Sequence, residues 1–371
     1  MRPDELYEKA EELRAFSRFK EALEIYEKAL NLLNSRKSQE KEDLFGRLEI
    51  NKRVGDCYRM IGDFFRAENA YLEALKVAER LKDELEIADC KLGLGLAQRG
   101  LGRLEEAERN FREALAIYEE YDDPEGEAFC LWALGGLYRV QGELKKAKET
   151  FEDALFIYEQ LEDLKGQGYC HCGLGGTTRV MGEHELSFKH YSKANSLFSE
   201  INDIFGMAYS FCGIGNAYRM QGKFEEAFEN FKKATELYAQ IGDKVSYAWT
   251  VWAEGNTYKM INELEKAREK LERALTLFSE TKDIRGLILT KLTLGEIEKL
   301  KGNTETALQF LKDAEELLDE RPYKLEKCHV ELYRWLFLNG REEELQNLKN
   351  QYQKLGSKIL STKPKLPFNL P

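Results

Sequence analysis

The chain has 371 residues, of which 43% are hydrophobic, 11% are aromatic and 33% are charged. Its 67 acidic residues outnumber its 56 basic ones, and the net charge of -11 excludes a general affinity for nucleic acid or anionic membranes, because the overall field repels polyanions. The aromatic content excludes a fully disordered chain. Only 6 prolines occur, and residues 125–321 contain none, which predicts an all-α protein.

The first residues, MRPDELYEKAEELR, are charged and lack the apolar run of about 7–15 residues that a signal peptide needs. No apolar stretch of the sequence is long enough to span a bilayer. We therefore expect a cytoplasmic protein with no membrane partner. The cysteines are odd in number and form no CxxC pair, so we expect reduced thiols.

From about residue 43 onward, the chain repeats itself every 40 residues. A first glycine series marks seven copies: Gly55, Gly95, Gly135, Gly175, Gly215, Gly255 and Gly295. A second series follows seven residues later: Gly62, Gly102, Gly142, Gly182, Gly222, Asn262 and Gly302. Apolar residues recur at three- and four-residue steps on both sides of the second series, which predicts a helix, a turn and a second helix in each copy.

Two details of the copies predict how the helices begin and pack. An aspartate precedes the first helix of every copy, from Asp43 to Asp283, and we expect it to cap that helix. The first-series glycine lies in the middle of the first helix, where it costs roughly 1 kcal/mol relative to alanine. We expect the neighbouring helix to cross closely there.

Residues 94–115 (LGLAQRGLGRLEEAERNFREAL) and 134–155 (LGGLYRVQGELKKAKETFEDAL) are similar to the pattern L-G-x-x-Y…G…A…F/Y…A-L. The chain therefore resembles the tetratricopeptide repeat (TPR) family, in a long form whose period exceeds the usual one of about 34 residues. An additional copy at residues 19–30 brings the number to eight. The resemblance implies a right-handed α-solenoid superhelix over residues 1–320.

The chain changes character after the last full copy. We expect residues 321–358 to form a degenerate helix pair that caps the solenoid. Residues 359–371 contain three prolines and predict an extended or disordered tail. Two roles stay open for this tail: an inert terminus, or a short linear motif that docks on another protein.

The resemblance also implies that one face of each first helix lines a concave groove. Four residues after every first-series glycine, the residue on that face is basic. This column consists of Arg59, Arg99, Arg139, Arg179, Arg219, Lys259 and Lys299, and Arg14 holds the matching place in the first copy. A basic column inside an acidic chain favours an acidic ligand. The alternative is that each cation pairs with a carboxylate on an adjacent helix.

Aromatic residues occupy the same face in the middle copies, three and six residues before the glycine. They are Phe129, Trp132, Tyr169, Tyr209, Trp249 and Trp252. Aromatic side chains beside arginine are typical of interface hot spots, although such stripes also occur in cores. Asn216 and Asn256, one residue after their glycines, are predicted to hold the backbone of a ligand through their amide groups.

Sequence motifs for catalysis or cofactor binding are missing. The four histidines match no metal-binding spacing, and the glycines form no nucleotide-binding loop, so we expect no enzyme, no metal and no cofactor. The sequence favours a non-enzymatic scaffold or adaptor that binds an acidic, partly apolar peptide or protein segment in its groove. Two alternatives remain: a ligand-responsive regulator of a separate effector chain and, disfavoured by the negative charge, a repeat protein that binds single-stranded RNA.

Overall fold

A computed structural model describes residues 2–36, 40–319 and 321–371 of the chain. The described residues form eighteen helices and no strand, which confirms the all-α class. The helices are α1 (Pro3–Ala15), α2 (Phe19–Ser35), α3 (Lys41–Met60), α4 (Phe64–Leu81), α5 (Glu84–Gly100), α6 (Leu104–Glu120), α7 (Pro124–Gln141), α8 (Leu144–Gln160), α9 (Leu164–Met181), α10 (His184–Glu200), α11 (Ile204–Met220), α12 (Phe224–Ile241), α13 (Lys244–Met260), α14 (Leu264–Thr281), α15 (Ile284–Leu300), α16 (Thr304–Leu318), α17 (Lys324–Leu338) and α18 (Glu342–Lys354).

The chain divides into two compact units. Unit 1 comprises Met1–Leu134 with Ala239–Lys244, and unit 2 comprises Gly135–Tyr238 with Val245–Pro371. Within unit 1, consecutive helices from α1 to α6 pack on one another, and α3 also packs on α5. Within unit 2, the same pattern joins α9 to α10 and α11, and α15 to α16 and α17. In these pairs a first helix contacts its own partner and a neighbouring first helix, as expected for stacked repeats.

Glycine in the middle of a first helix makes room for the second helix of the pair. A Cβ atom on Gly95 would lie 2.6 Å from Cε1 of Phe111 in α6, and 3.2 Å from the backbone carbonyl oxygen of Ala107. At Gly175 the corresponding contact is Tyr191 of α10, at 2.8 Å. The close crossing predicted from the sequence is present at both positions.

The second glycine series ends the first helices. Gly102 has a φ of 77° and Asn262 a φ of 62°, both in the left-handed region. The backbone N–H of Arg103 donates to the carbonyl of Gln98 at 2.9 Å, which closes the helix end. Asparagine replaces glycine here because it tolerates this conformation better than other side chains.

Aspartate caps begin many of the first helices. The side chain of Asp123 accepts a hydrogen bond from the backbone N–H of Gly126 at 3.0 Å, and Asp203 does the same for Gly206 at 2.8 Å. The cap predicted at Asp43 was wrong. Because α3 already begins at Lys41, Asp43 lies inside its first turn.

The chain after α18 has no regular helix and attaches to unit 2. The hydroxyl of Ser357 donates to the carbonyl of Val180 at 2.6 Å, and the backbone N–H of Lys358 donates to the carbonyl of Met181 at 3.0 Å. These bonds fix the start of the predicted tail at the C-terminal end of α9. In the described part of the chain, no helix combines the length and the apolar character needed to cross a membrane.

Candidate functional site

In unit 1 the side chains of the basic column contact other groups of the protein. Arg14 forms an ion pair with Glu11 at 2.6 Å, and Arg59 lies 3.6 Å from Asp56 on its own helix. Arg99 donates to the carbonyl of Ala133 at 3.2 Å and stands over the ring of Trp132. In this unit the cations contact groups of the protein itself, but the carboxylates that Arg14 and Arg59 meet belong to their own helices and not to an adjacent one.

The column differs in unit 2. Across the described residues, Arg139, Arg179 and Arg219 have no carboxylate within salt-bridge distance. Arg139 packs against Gly176 of the next first helix, where a Cβ atom would lie 2.1 Å from its Nη1. Lys299 donates to the hydroxyl of Thr304 at 3.1 Å. Three successive arginines therefore carry charges that the described chain does not neutralise directly.

Arg219 on α11 is fully buried. Its Nη2 donates to Oδ1 of Asn216 at 3.0 Å, and its guanidinium stands 5.9 Å from the ring centre of Trp252. Burial, together with the nearby charge of Arg179, lowers the pKa of Arg219. A buried guanidinium bonded only to neutral amides is an electrostatically incomplete site, because a buried cation is normally balanced by an anion.

A second buried group lies on α13, α15 and α17. Nζ of Lys259 and Oε2 of Glu296 are 2.7 Å apart, and both side chains are fully buried. The hydroxyl of Tyr333 donates to the same carboxylate oxygen at 2.7 Å. Burial lowers the pKa of Lys259, and the Glu296 carboxylate opposes that shift. The three side chains form one hydrogen-bonded cluster contributed by three first helices.

The last residues of the chain bind to these two groups. We call residues 366–371 the tail segment. The carbonyl of Phe368 accepts from Nζ of Lys259 at 2.7 Å, and its backbone N–H donates to Oε1 of Glu296. Oδ1 of Asn369 accepts from Nη1 of Arg219, and Nδ2 of Asn369 donates to the carbonyl of Arg219 at 3.0 Å. The ion-paired Lys259 and Glu296 thus bind the C=O and the N–H of one residue, and Arg219 binds the side chain of the next residue.

Apolar contacts complete the attachment of the tail segment. The ring of Phe368 meets the ring of Tyr333 edge-on, with 6.5 Å between their centres. Leu370 is fully buried, and its backbone N–H donates to the carbonyl of Phe368 at 3.1 Å. We call the surface formed by Arg219, Trp252, Lys259, Glu296 and Tyr333 the tail groove.

Several polar atoms near the tail groove are buried without a hydrogen-bond partner. Among the described residues they include Nε and Nη1 of Arg179, Nε1 of Trp252 and Oδ1 of Asn256. An unsatisfied buried polar group costs about 1–3 kcal/mol. In native proteins such groups are few and often belong to functional sites or bind water.

Three of the predicted aromatic contacts belong to helix packing. Trp249 donates from Nε1 to Oδ2 of Asp283 at 2.9 Å and packs edge-on against Phe278 of α14. Tyr169 has the same arrangement: its hydroxyl donates to Oδ2 of Asp203 at 3.4 Å, and its ring packs edge-on against Phe198 of α10. Tyr209 also packs against the core of this region. The rings of Tyr169 and Trp249 thus join one repeat to the cap of the next.

The remaining aromatic residues are divided between the units. Phe129 and Trp132 stack on each other in unit 1, with 5.6 Å between ring centres, and Phe129 is exposed. Trp252 is buried beneath Arg219 in the tail groove. Of the six predicted aromatic side chains, Trp252 is therefore the one in contact with a residue that binds the tail segment.

The two asparagines bond to their own helices. Nδ2 of Asn216 donates to the carbonyl of Cys212 and Nδ2 of Asn256 to that of Trp252, both at 3.1 Å. Asn216 orients Arg219, so the backbone-binding role predicted for these amides falls to Lys259 and Glu296 in this structure. Sequence reasoning missed Glu296, although it follows Gly295 as Asn216 follows its own glycine.

A histidine pair not recognised in the sequence lies between α9 and α10. Nδ1 of His171 and Nδ1 of His190 are 3.1 Å apart. Burial lowers the pKa of both imidazoles, that of His171 to about 4. Within the described ranges, no cluster of three or more metal-ligating side chains accompanies them.

Comparison with known proteins gives a family and a set of similar folds. The model of the tetratricopeptide repeat family matches residues 46–120, 88–160, 169–240 and 206–280, which is more than half of the chain. None of the curated proteins matches the sequence.

Three solved structures share the fold. A Rap protein complexed with competence and sporulation factor has a TM-score of 0.63 at 17% identity, over 95% of this chain and 98% of that one. The Rap conjugation gene regulator of plasmid pLS20, in complex with the Phr* peptide, has a TM-score of 0.61 at 20% identity, over 74% and 73%. NprR in complex with its cognate peptide NprX has a TM-score of 0.60 at 15% identity, over 84% and 90%. At these identities the similarity concerns the fold alone.

Proposed function

Since this chain belongs to the tetratricopeptide repeat family, whose fold serves as a protein-interaction scaffold, we propose that its tail groove binds an extended, partly apolar peptide or protein segment that carries a carboxylate. The scaffold acts by binding, and the proposal assigns it no catalytic step. The alternative of an RNA-binding protein is tested below at the scale of the whole molecule.

The observation that carries this proposal is the charge of Arg219. It is fully buried and bonded to amide oxygens, and Arg179 adds a second positive charge to its surroundings. An arginine pairs best with a carboxylate, which accepts two parallel N–H bonds and neutralises the charge. A ligand with Asp or Glu at this point therefore gains more than a neutral one.

Two further features support a peptide as the ligand class. Lys259 donates to the C=O of one residue and Glu296 accepts from its N–H, which is a way to hold a peptide backbone whatever its side chains. Two of the solved structures with this fold contain a bound peptide, Phr* and NprX. Both observations concern how a peptide is bound, and neither specifies the sequence of the partner.

Selection from a library of displayed random peptides on the immobilised full-length chain tests the proposal. We expect the selected peptides to be rich in Asp or Glu next to an aromatic or aliphatic residue. Arg179→Gln, which removes a half-buried charge, should weaken their binding by roughly tenfold. Lys299→Gln is the control, because Lys299 donates to Thr304, whereas Arg179 is the cation whose charge acts on Arg219. Selected peptides without acidic residues, or equal binding by both variants, would refute the proposal.

A further inference from the structure

We propose that the tail segment is a built-in ligand of the tail groove, and that a partner displaces it by offering Arg219 a carboxylate where the tail offers the amide of Asn369. This inference rests on the proposed function and deepens it, because it states what the partner must replace and with which chemistry. It also assigns a role to residues for which the sequence leaves two roles open, an inert terminus or a short motif that docks on another protein.

The first step of the argument is that the tail segment binds as a ligand peptide would. Its backbone is held at Phe368 by Lys259 and Glu296, and Leu370 is fully buried. The two backbone contacts use only the N–H and the C=O of one residue, so a segment of another protein can make them equally well. The tail segment therefore occupies a surface that is not specific to it.

The second step is that the tail segment leaves the charge of the groove unbalanced. Asn369 gives Arg219 one neutral acceptor oxygen, and its amide nitrogen donates to a backbone carbonyl. An aspartate in the same place would offer two charged oxygens to a guanidinium that has no carboxylate partner among the described residues. The tail is thus a weaker ligand for this site than an otherwise identical acidic segment.

The third step is that a weak ligand suffices when it is tethered. Ser357 and Lys358 are hydrogen-bonded to the end of α9, and only nine residues separate Lys358 from Phe368. A short linker of this kind gives the tail segment an effective concentration of roughly millimolar at the groove. A free partner must overcome that advantage, and the carboxylate supplies the stronger contact.

The competing interpretation is that the tail segment is a structural strut that never leaves. Two fluorescein-labelled probes separate the two interpretations: the peptide KLPFNLP, which copies residues 365–371, and KLPFDLP, which differs only by Asp in the place of Asn369. The protein is the full-length chain with Phe368→Ala and Leu370→Ala, which frees the groove without shortening the chain. Its circular dichroism should equal that of the natural chain.

We expect the released variant to bind KLPFNLP at least tenfold more tightly than the natural chain does. We expect KLPFDLP to bind the released variant roughly tenfold more tightly than KLPFNLP, since hydrogen bonds to charged groups are the stronger class. Phe156→Ala, which removes an exposed phenylalanine of α8, is the control and should bind as the natural chain does. Equal binding by released and natural chains, or equal binding of the two probes, would overturn the inference.

A measurement on the natural chain keeps the inference testable if the released variant does not fold. The backbone N–H groups of Phe368 and Leu370 are hydrogen-bonded, so their exchange with deuterium should be slow. Excess KLPFDLP should accelerate it several-fold, and the same concentration of KLPFNLP should do so less. A strut predicts no acceleration by either peptide, and that result would contradict displacement.

The two proposals fail separately. If acidic peptides selected from the library bind through Arg179 but do not accelerate exchange in the tail segment, the groove binds peptides and the tail is no built-in ligand. If the tail probes bind the released variant and selection yields no acidic peptide, the acidic class of partner is wrong, and with it the proposed function.

Discussion

At the scale of single residues, the histidines buried in neutral form make the stability of the chain depend on pH. The pKa of His171 is lowered to about 4 by burial, whereas an imidazole in an unfolded chain has a pKa near 6.5. Below pH 6.5 the unfolded chain therefore binds a proton that the folded chain does not. Stability falls as the pH drops from about 6.5 to about 4 and levels off below that.

This dependence gives a prediction for His171→Gln, which removes the titrating group. Between pH 7 and pH 5, the free energy of unfolding of the variant should fall by about 2 kcal/mol less than that of the natural chain. Urea unfolding at the two pH values measures the difference. Phe188→Leu, a non-titrating change on α10, should keep the natural pH dependence. An identical drop in both variants would show that His171 does not contribute.

At the scale of the elements, the aspartate cap of α15 links this helix to the repeat before it. Asp283 accepts from the backbone N–H of Gly286 at 3.0 Å and from Nε1 of Trp249 at 2.9 Å. The carboxylate thus satisfies one N–H of the first turn of α15 and anchors a buried aromatic ring of α13. Loss of the carboxylate removes both bonds at once.

We therefore expect Asp283→Ala to destabilise the chain by about 2–3 kcal/mol, the sum of a lost cap and an unsatisfied indole N–H. Asp283→Leu would add bulk, so alanine is the cleaner change. The comparison within unit 2 is Trp249→Phe, which keeps the cap and an aromatic ring but removes the indole bond and part of the ring contact; the lost bond alone should cost about 1 kcal/mol. Thermal unfolding followed by circular dichroism measures both. Equal losses in the two variants would mean that the cap itself contributes nothing.

The elements were predictable from the sequence because their signals are local and repeated. Each residue type indicates the local structure at its own position: Gly102 a turn with positive φ, Asp123 a helix cap, and Gly95 a close helix crossing. The 40-residue period repeats these indications in every copy. The helix order and pairing follow from these signals. Asp43 is the exception, because the connection before α3 has a different length from the later ones.

The site was only partly predictable from the sequence, because the fold brings its residues together and no regular sequence spacing relates them. The basic column includes Arg219 and Lys259, but nothing local shows that one meets a neutral amide and the other Glu296. The tail segment lies 109 residues from Lys259 in sequence, and its contact with the groove leaves no periodic pattern. Tyr169 and Trp249 look like ligand contacts in the sequence because a helix face does not reveal which neighbour covers it.

At the scale of the whole molecule, net charge and local charge act on different ligands. The net charge of -11 repels a long polyanion, whose phosphates extend beyond any single groove. A peptide with one carboxylate places its charge at Arg219 and little elsewhere. If the tail groove binds an acidic peptide as we propose, the net charge still disfavours nucleic acid.

Competition between the two ligand classes tests this argument and the RNA-binding alternative together. We expect a 20-nucleotide single-stranded RNA, at about 50 mM salt, to leave KLPFDLP bound to the released variant with Phe368→Ala and Leu370→Ala. Salt dependence should also differ: RNA held by several phosphate contacts would lose most of its affinity by about 200 mM salt, whereas a single buried ion pair is screened far less. Fluorescence anisotropy of the labelled peptide measures both effects. Displacement of the peptide by RNA at low salt would mean that phosphates reach the same guanidinium, and the assignment of the groove to a protein ligand would be wrong.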